Sequence, residues 1–268
     1  GPGDEERMLR DSLALAALEH LDGRPQAAFE RLRAILELVP EEAGEVRAAI
    51  EIELAINAQY RIDVADRMEL TERARRTAEE LGDDVLLASV LALHAISTYY
   101  AGDPGQAMAL CRRAAETLAA VPDERLAPRL EALYHLAVAS TVIDLFAIAE
   151  EVCEREIRIG RATGQDHLLV PMLILRCMAL QQRGRIDEAI VVIEAAEDAA
   201  RLAGAVHPLH WALWMRSEVA KVAGDLTTAI RAGEESAALA DGLDRATVTL
   251  LGRANLATTR LAAGDPER

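Results

Sequence analysis

Apolar residues recur along this chain at helical spacing, and the helices they predict come in pairs. Between Asp84 and Ala101, Leu87, Val90, Leu91, Ala95 and Thr98 share one side of a helix. Positions three and four apart fall on the same face, so this spacing predicts an amphipathic α-helix. Gly102-Asp103-Pro104 ends it and opens the next. Glycine suits the C-terminal cap, aspartate the N-cap and proline the first helical position. Gly23-Arg24-Pro25, Gly184-Arg185 and Gly224-Asp225 have the same form. In each case an alanine follows the glycine by five residues (Ala28, Ala107, Ala189, Ala229), then an apolar residue (Phe29, Met108, Ile190, Ile230). The glycines are 79, 82 and 40 residues apart, and Gly264-Asp265 lies a further 40 on. A period of this size predicts a solenoid of helical hairpins, each a helix A, a tight turn and a helix B.

A second row supports the register. Ala95, Ala137, Cys177, Ser217 and Ala257 are all small, and each stands seven residues before its turn. A small residue there lets helix B approach helix A, with the alanine five after the turn as the facing surface. Two weaker turns, Arg61-Ile62-Asp63 and Val142-Ile143-Asp144, keep the period without a glycine. The expected fold is all-α: a right-handed superhelix of about six to seven hairpins, with about thirteen helices from Asp4 to Gly264. Gly1-Pro2-Gly3 reads as an expression scar. Residues 4–268 form a single repeat domain, with no linker rich in proline, serine or glycine. Gly264-Asp265-Pro266 opens another helix B, so the array reads as truncated at its C-terminal end.

Composition narrows the function. Half of the 268 residues are hydrophobic but only 3% are aromatic, which suits closely packed helices rich in alanine and leucine. The net charge of −16 opposes binding to nucleic acid or anionic lipid by this part of the chain. No apolar run reaches the roughly 18 residues of a membrane span, and the basic-then-apolar pattern of a signal peptide is not read in this sequence. Three unclustered cysteines indicate a reducing compartment, so a cytoplasmic location is expected. Cys111 and Cys153 stand nine residues after their turns, where Leu32 and Ile193 stand in other repeats, which makes them small core residues.

The paired small positions and the turns resemble tetratricopeptide repeats lengthened to about 40 residues. Two stretches resemble, more narrowly, the helical-repeat region of large ATP-binding LuxR-type transcriptional regulators of the MalT-like group. One runs from Arg161-Ala162-Thr163-Gly164-Gln165 through Gly184-Arg185-Ile186-Asp187-Glu188-Ala189 to Ala203-Gly204. The other runs from Trp211-Ala212-Leu213-Trp214 through Gly224-Asp225-Leu226 to Glu234-Glu235-Ser236. The resemblance implies a sensory region between a nucleotide-binding module and a DNA-binding helix-turn-helix. This chain has neither a phosphate loop nor a basic recognition helix, so no cofactor is expected and DNA binding would belong to the parent protein.

No catalytic spacing emerges, and solenoids present surfaces more often than chemistry, so the chain is expected not to be an enzyme. His207 and His210 are three apart at a helix start and Glu131 and His135 four apart, but neither pair has further ligands nearby, so no metal is expected. The residue just before each small position reads His94, Leu136, Arg176, Arg216 and Leu256, at the edge of the packed face. Arg176 and Arg216 could receive an anionic group; the plainer reading pairs them with acids such as Glu188 or Glu218. Gln181 and Lys221 extend that row by one turn. Trp211 and Trp214 are the only tryptophans. One is expected to wedge into the core, and Trp211 is the better groove anchor. The expected site on the concave face is Arg176, Gln181, Trp211, Trp214, Arg216, Glu218 and Lys221, with His94, Tyr99 and Tyr134 as far-wall contacts. The partner would be a protein or a small-molecule effector, and a homo-oligomer is possible. The alternative is a peptide-binding scaffold unconnected with transcription.

Overall fold

The turns set the architecture. A computed structural model describes residues 15, 25–40, 44–58, 64–165, 167–243 and 246–264. At Gly102, Gly184, Gly224 and Gly264 the backbone enters the left-handed region, with φ of 93°, 76°, 82° and 76°. At Gly102, Gly184 and Gly224 that conformation closes the helix through a hydrogen bond from the next amide to a carbonyl five residues back, as in Asp103 N to Thr98 O and Asp225 N to Ala220 O. In the glycine-free turn Asp144 takes the same conformation, with φ of 61°. Aspartate is among the few residues that tolerate it. The residue after each glycine then opens helix B: Asp103 accepts from Gln106 N and Asp225 from Thr228 N. Gly23, Arg61-Ile62-Asp63 and Asp265 lie outside the described residues, as does almost all of the first expected helix.

The described residues are 85% helical and contain no strand. Among the described residues from Pro25 on, thirteen α-helices follow one another: α1 (Pro25–Leu36), α2 (Gly44–Ala58), α3 (Val64–Leu81), α4 (Asp84–Tyr100), α5 (Pro104–Ala119), α6 (Asp123–Leu126), α7 (Glu131–Val142), α8 (Phe146–Thr163), α9 (Leu169–Gln182), α10 (Ile186–Leu202), α11 (Val206–Ala223), α12 (Leu226–Asp241) and α13 (Ala246–Ala262). Helices α2, α4, α7, α9, α11 and α13 are the A helices of the repeat; α1, α3, α5, α8, α10 and α12 are the B helices. The short α6 and a 3₁₀ turn at Ala127–Arg129 fall outside that alternation. They join α5 to α7, where the small-residue row is spaced 42 rather than 40.

The chain divides into two compact units, Gly1–Ile143 and Asp144–Arg268. In the first, α2 to α5 pack in succession and α7 lies on α4 and α5. In the second, α8 to α13 pack in succession, and α9, α11 and α13 also pack directly on one another as a layer. The small-residue rows make these contacts possible. Ala95, Ala137, Cys177 and Ser217 are fully buried, as are Ala28, Ala107, Ala189 and Ala229. The two rows touch: Cys177 Sγ lies 3.4 Å from Ala189 O, and Ser217 Oγ donates to Ala229 O at 2.8 Å. Ala257, the last of its row, is exposed.

The A helices are more enclosed than one amphipathic face requires. In α4 every residue from Ala88 to Thr98 is buried. A helix flanked by its own B helix, the preceding B helix and a neighbouring A helix has apolar contacts on all sides. The nine-after-turn positions are core, with Leu32, Cys111, Cys153 and Ile193 all buried. Burial pushes all three thiols up, Cys177 to about 12, so none is a ready nucleophile near neutral pH.

Candidate functional site

Seven of the ten residues singled out from sequence stand in the second unit, on α9 and α11; His94, Tyr99 and Tyr134 stand in the first. In the second unit the A-helix layer brings α9, α11 and α13 side by side. Trp211 and Trp214 share one stretch of α11, their rings 5.8 Å apart and near edge-on. Both are half-buried. Trp211 Nε1 donates to His207 Nε2 at 3.1 Å, and its ring meets that of His210 at 5.1 Å. The result is an aromatic patch of His207, Trp211 and Trp214 backed by a fully buried His210. Trp214 Nε1 is enclosed without a hydrogen-bond partner.

The two histidines of the 207–210 pair serve separate ends. His207 supports the Trp211 indole. His210 places Nδ1 2.9 Å from Ser236 O and 3.0 Å from Ser236 Oγ, which ties α11 to α12. Burial lowers its pKa, so the ring is neutral at pH 7. Its Cε1 edge faces Gly252 on α13, where an added Cβ would come within 3.4 Å. Beyond it, Asn255 on α13 donates to Trp214 O at 3.0 Å and lies 3.1 Å from Ser217 Oγ and Thr259 Oγ1. This buried polar knot fixes the backbone that carries the aromatic patch. Among the described residues no group of three or more histidine, cysteine or acidic side chains is placed to hold a metal ion.

The arginines sit beside the patch with partners the sequence reading did not name. Arg176 on α9 donates to Glu154 on α8 at 2.6 Å. Arg216 on α11 donates to Glu197 at 2.5 Å and Glu194 at 3.1 Å, both on α10. The acids thus come from the preceding B helix; Glu188 pairs with Arg185 and Glu218 with Lys221 instead. Glu154 and Glu194 each stand 22 residues before their arginine and 40 apart, a spacing that was available in the sequence. In the first unit Glu72 stands 22 before His94 and lies 3.9 Å from its Nε2. The position before the small residue is thus where one repeat clasps the next, with an arginine at Arg176 and Arg216 and a buried histidine at His94. Lys221 reaches Glu218 at 2.6 Å and Thr258 on α13 at 3.3 Å, and Gln181 is half-buried at the end of α9.

His94 is buried, with Nδ1 2.7 Å from Thr71 Oγ1 on α3. Burial lowers its pKa, opposed by Glu72. Tyr99 packs edge-on against Tyr100, and Tyr134 lies 6.0 Å from the His135 ring. His135 Nδ1 in turn lies 2.6 Å from Ser89 Oγ. The companion residues that sequence reasoning missed are Glu154, Glu194, Glu197, Asn255 and Thr258.

This geometry defines a tetratricopeptide-like helical repeat. Solved structures agree on the fold. A Rap protein complexed with Competence and Sporulation Factor superposes with a TM-score of 0.69 at 13% identity, covering 98% of this chain and 72% of that one. A STAND signal-transduction ATPase with a tetratricopeptide repeat sensor, from Pyrococcus horikoshii, gives 0.60 at 15%, over 98% of this chain. This chain spans 41% of that protein's length. BtubC from P. vanneervenii gives 0.58 at 16%, covering 76% of this chain and 85% of its own. No protein-family model matches the chain, and no curated protein matches it.

Proposed function

We propose that this chain is a non-catalytic sensory or protein-interaction module that holds a partner on the A-helix face of its second unit. The observation that carries the reading is the aromatic patch on α11. In a chain with so few aromatics, both tryptophans share one stretch of helix, half-exposed, with a histidine as support. Flat apolar area beside polar groups is what a recognition surface needs. Arg176, Arg216, Lys221 and Glu218 stand on α9 and α11 as already neutralised pairs, so they supply hydrogen-bonding edges rather than net charge. The partner is a peptide segment or a small effector with an apolar anchor. The likenesses to a Rap protein in complex with a factor and to a repeat sensor of a STAND ATPase support a receiving role. The resemblance of two stretches to the MalT-like repeat region supports reading the module as part of a cytoplasmic LuxR-type regulator.

The test is a displayed peptide library panned in parallel against wild type and Trp211→Ala. Wild type is expected to enrich a sequence family with an apolar anchor that the variant fails to enrich, while both keep the same helical circular dichroism. Equal enrichment by the two proteins would put the recognition surface elsewhere.

A further inference from the structure

We infer that a second site, in the cleft between α1, α2 and α3, binds a small organic anion with an apolar body. The cleft has a volume of 530 Å³, within the range of small-ligand pockets. Its floor is apolar. Phe29 and Leu36 come from α1, Leu54 from α2 and Leu70 from α3, and all four belong to or pack on the core of the first hairpins. Its rim is cationic in character: Arg33, Arg47 and Arg73 line it, with Glu37 and Glu69 as the acidic members. Three arginines on one cleft depart from the acid excess of the whole chain.

The three guanidinium groups differ in what holds them. Arg47 donates to Val39 O at 2.8 Å and so caps the end of the α1 segment. Arg73 holds the buried Glu51 carboxylate through Nη2 at 2.8 Å, which fixes its plane at the cleft wall. The Arg33 guanidinium has neither a hydrogen bond nor an ion pair among the described residues, although Glu37 lies one turn away. Arg75, Arg185 and Arg201, by contrast, are each held by acidic side chains. Arg33 is therefore the available donor, and its planar fork suits a carboxylate or sulfonate. An apolar floor beneath it selects an amphipathic anion over inorganic phosphate, which would leave that floor wet.

The experiment uses two fluorescent probes, the anionic anilinonaphthalene sulfonate and the neutral phenylnaphthylamine, titrated into the whole chain at low and moderate salt. Expected is saturable binding of one sulfonate probe per chain, with weaker binding of the neutral probe. Arg33→Ala is expected to weaken the sulfonate probe about fivefold or more and leave the neutral probe unchanged. Arg33→Lys is expected to retain part of the affinity. Leu70→Trp, which fills the cleft from a half-buried position, is expected to exclude both. Circular dichroism of each variant verifies that it is folded. Sulfonate binding unaffected by both Arg33→Ala and Leu70→Trp overturns the inference, as does non-saturating binding at many sites.

Discussion

At the scale of single residues, the fold depends on atoms that are absent. Ser217 and Ala229 sit where α11 and α12 are closest, and the hydroxyl bonds the alanine carbonyl directly. Gly233, nine after the Gly224 turn, takes part in the same approach: a Cβ there would stand 3.1 Å from Ser217 Oγ. Ala229→Leu therefore adds methylenes where no volume exists. It is expected to cost roughly 1–3 kcal/mol, read as a lower urea midpoint with an unchanged slope. An unchanged midpoint would show that the position is not in contact. A different residue term governs pH. Glu53 on α2 has its carboxyl raised to about 7, first by burial and second by the Glu131 carboxylate. Between pH 4.5 and 7 the folded state then holds a proton that the unfolded state has released. This contribution to stability is present below 4.5 and is lost as pH rises through about 7. Glu53→Gln removes the titration. Relative to wild type it is expected to gain up to about 3 kcal/mol between pH 4.5 and pH 8, measured by urea unfolding at both values. Parallel pH profiles would contradict this.

At the scale of elements, the hairpin was legible in the sequence because each of its requirements names a residue type. A left-handed backbone asks for glycine, a close helix approach asks for alanine or serine, and both recur at the period. Asp144 was legible only through the period, because its identity alone does not announce a left-handed turn. The α6 segment and its 3₁₀ extension were not legible; Pro122, Pro128 and the two-residue excess were the only signals. The aromatic cluster could be placed on one helix, but the partners of Arg176 and Arg216 could not. Which acid meets an arginine depends on how one hairpin is rotated on the next, and a helical wheel of one element does not contain that rotation. The resulting Arg216 clasp joins α11 to α10, with Glu197 largely buried and Glu194 half-exposed. Partly exposed pairs contribute little. A double-mutant cycle of Arg216→Gln and Glu197→Gln is expected to give a coupling of about 1 kcal/mol that shrinks in 1 M salt. Zero coupling would reduce the ladder to a geometric coincidence of the repeat.

At the scale of the whole molecule, charge decides what the surface can meet. Acidic residues outnumber lysine and arginine by 45 to 29, which is the source of the −16. Many of the cations among the described residues are committed to carboxylates: Arg129 to Asp83, Arg183 and Arg185 together to the buried Glu150, and Arg201 to both Glu197 and Glu235. A phosphate backbone approaching this surface would have to displace those carboxylates and would meet a net negative field while doing so. Counterion release, the main source of non-specific DNA affinity, requires free lysine or arginine to neutralise phosphates. The LuxR-type reading therefore makes a divided demand. On that proposed reading DNA recognition would belong to the parent protein, and this chain would take no part in it. Duplex DNA is expected to show no mobility shift with the chain at physiological salt, even at concentrations where non-specific binders with a Kd of about 10⁻⁵ M are retarded. Lowering the salt is expected to change nothing, because the interaction is repulsive at every ionic strength and is only screened as salt rises. A shift that appears at low salt and fades as salt is added would show a cationic patch that these ion pairs do not hide, and with it a DNA-contacting role for the repeat array itself.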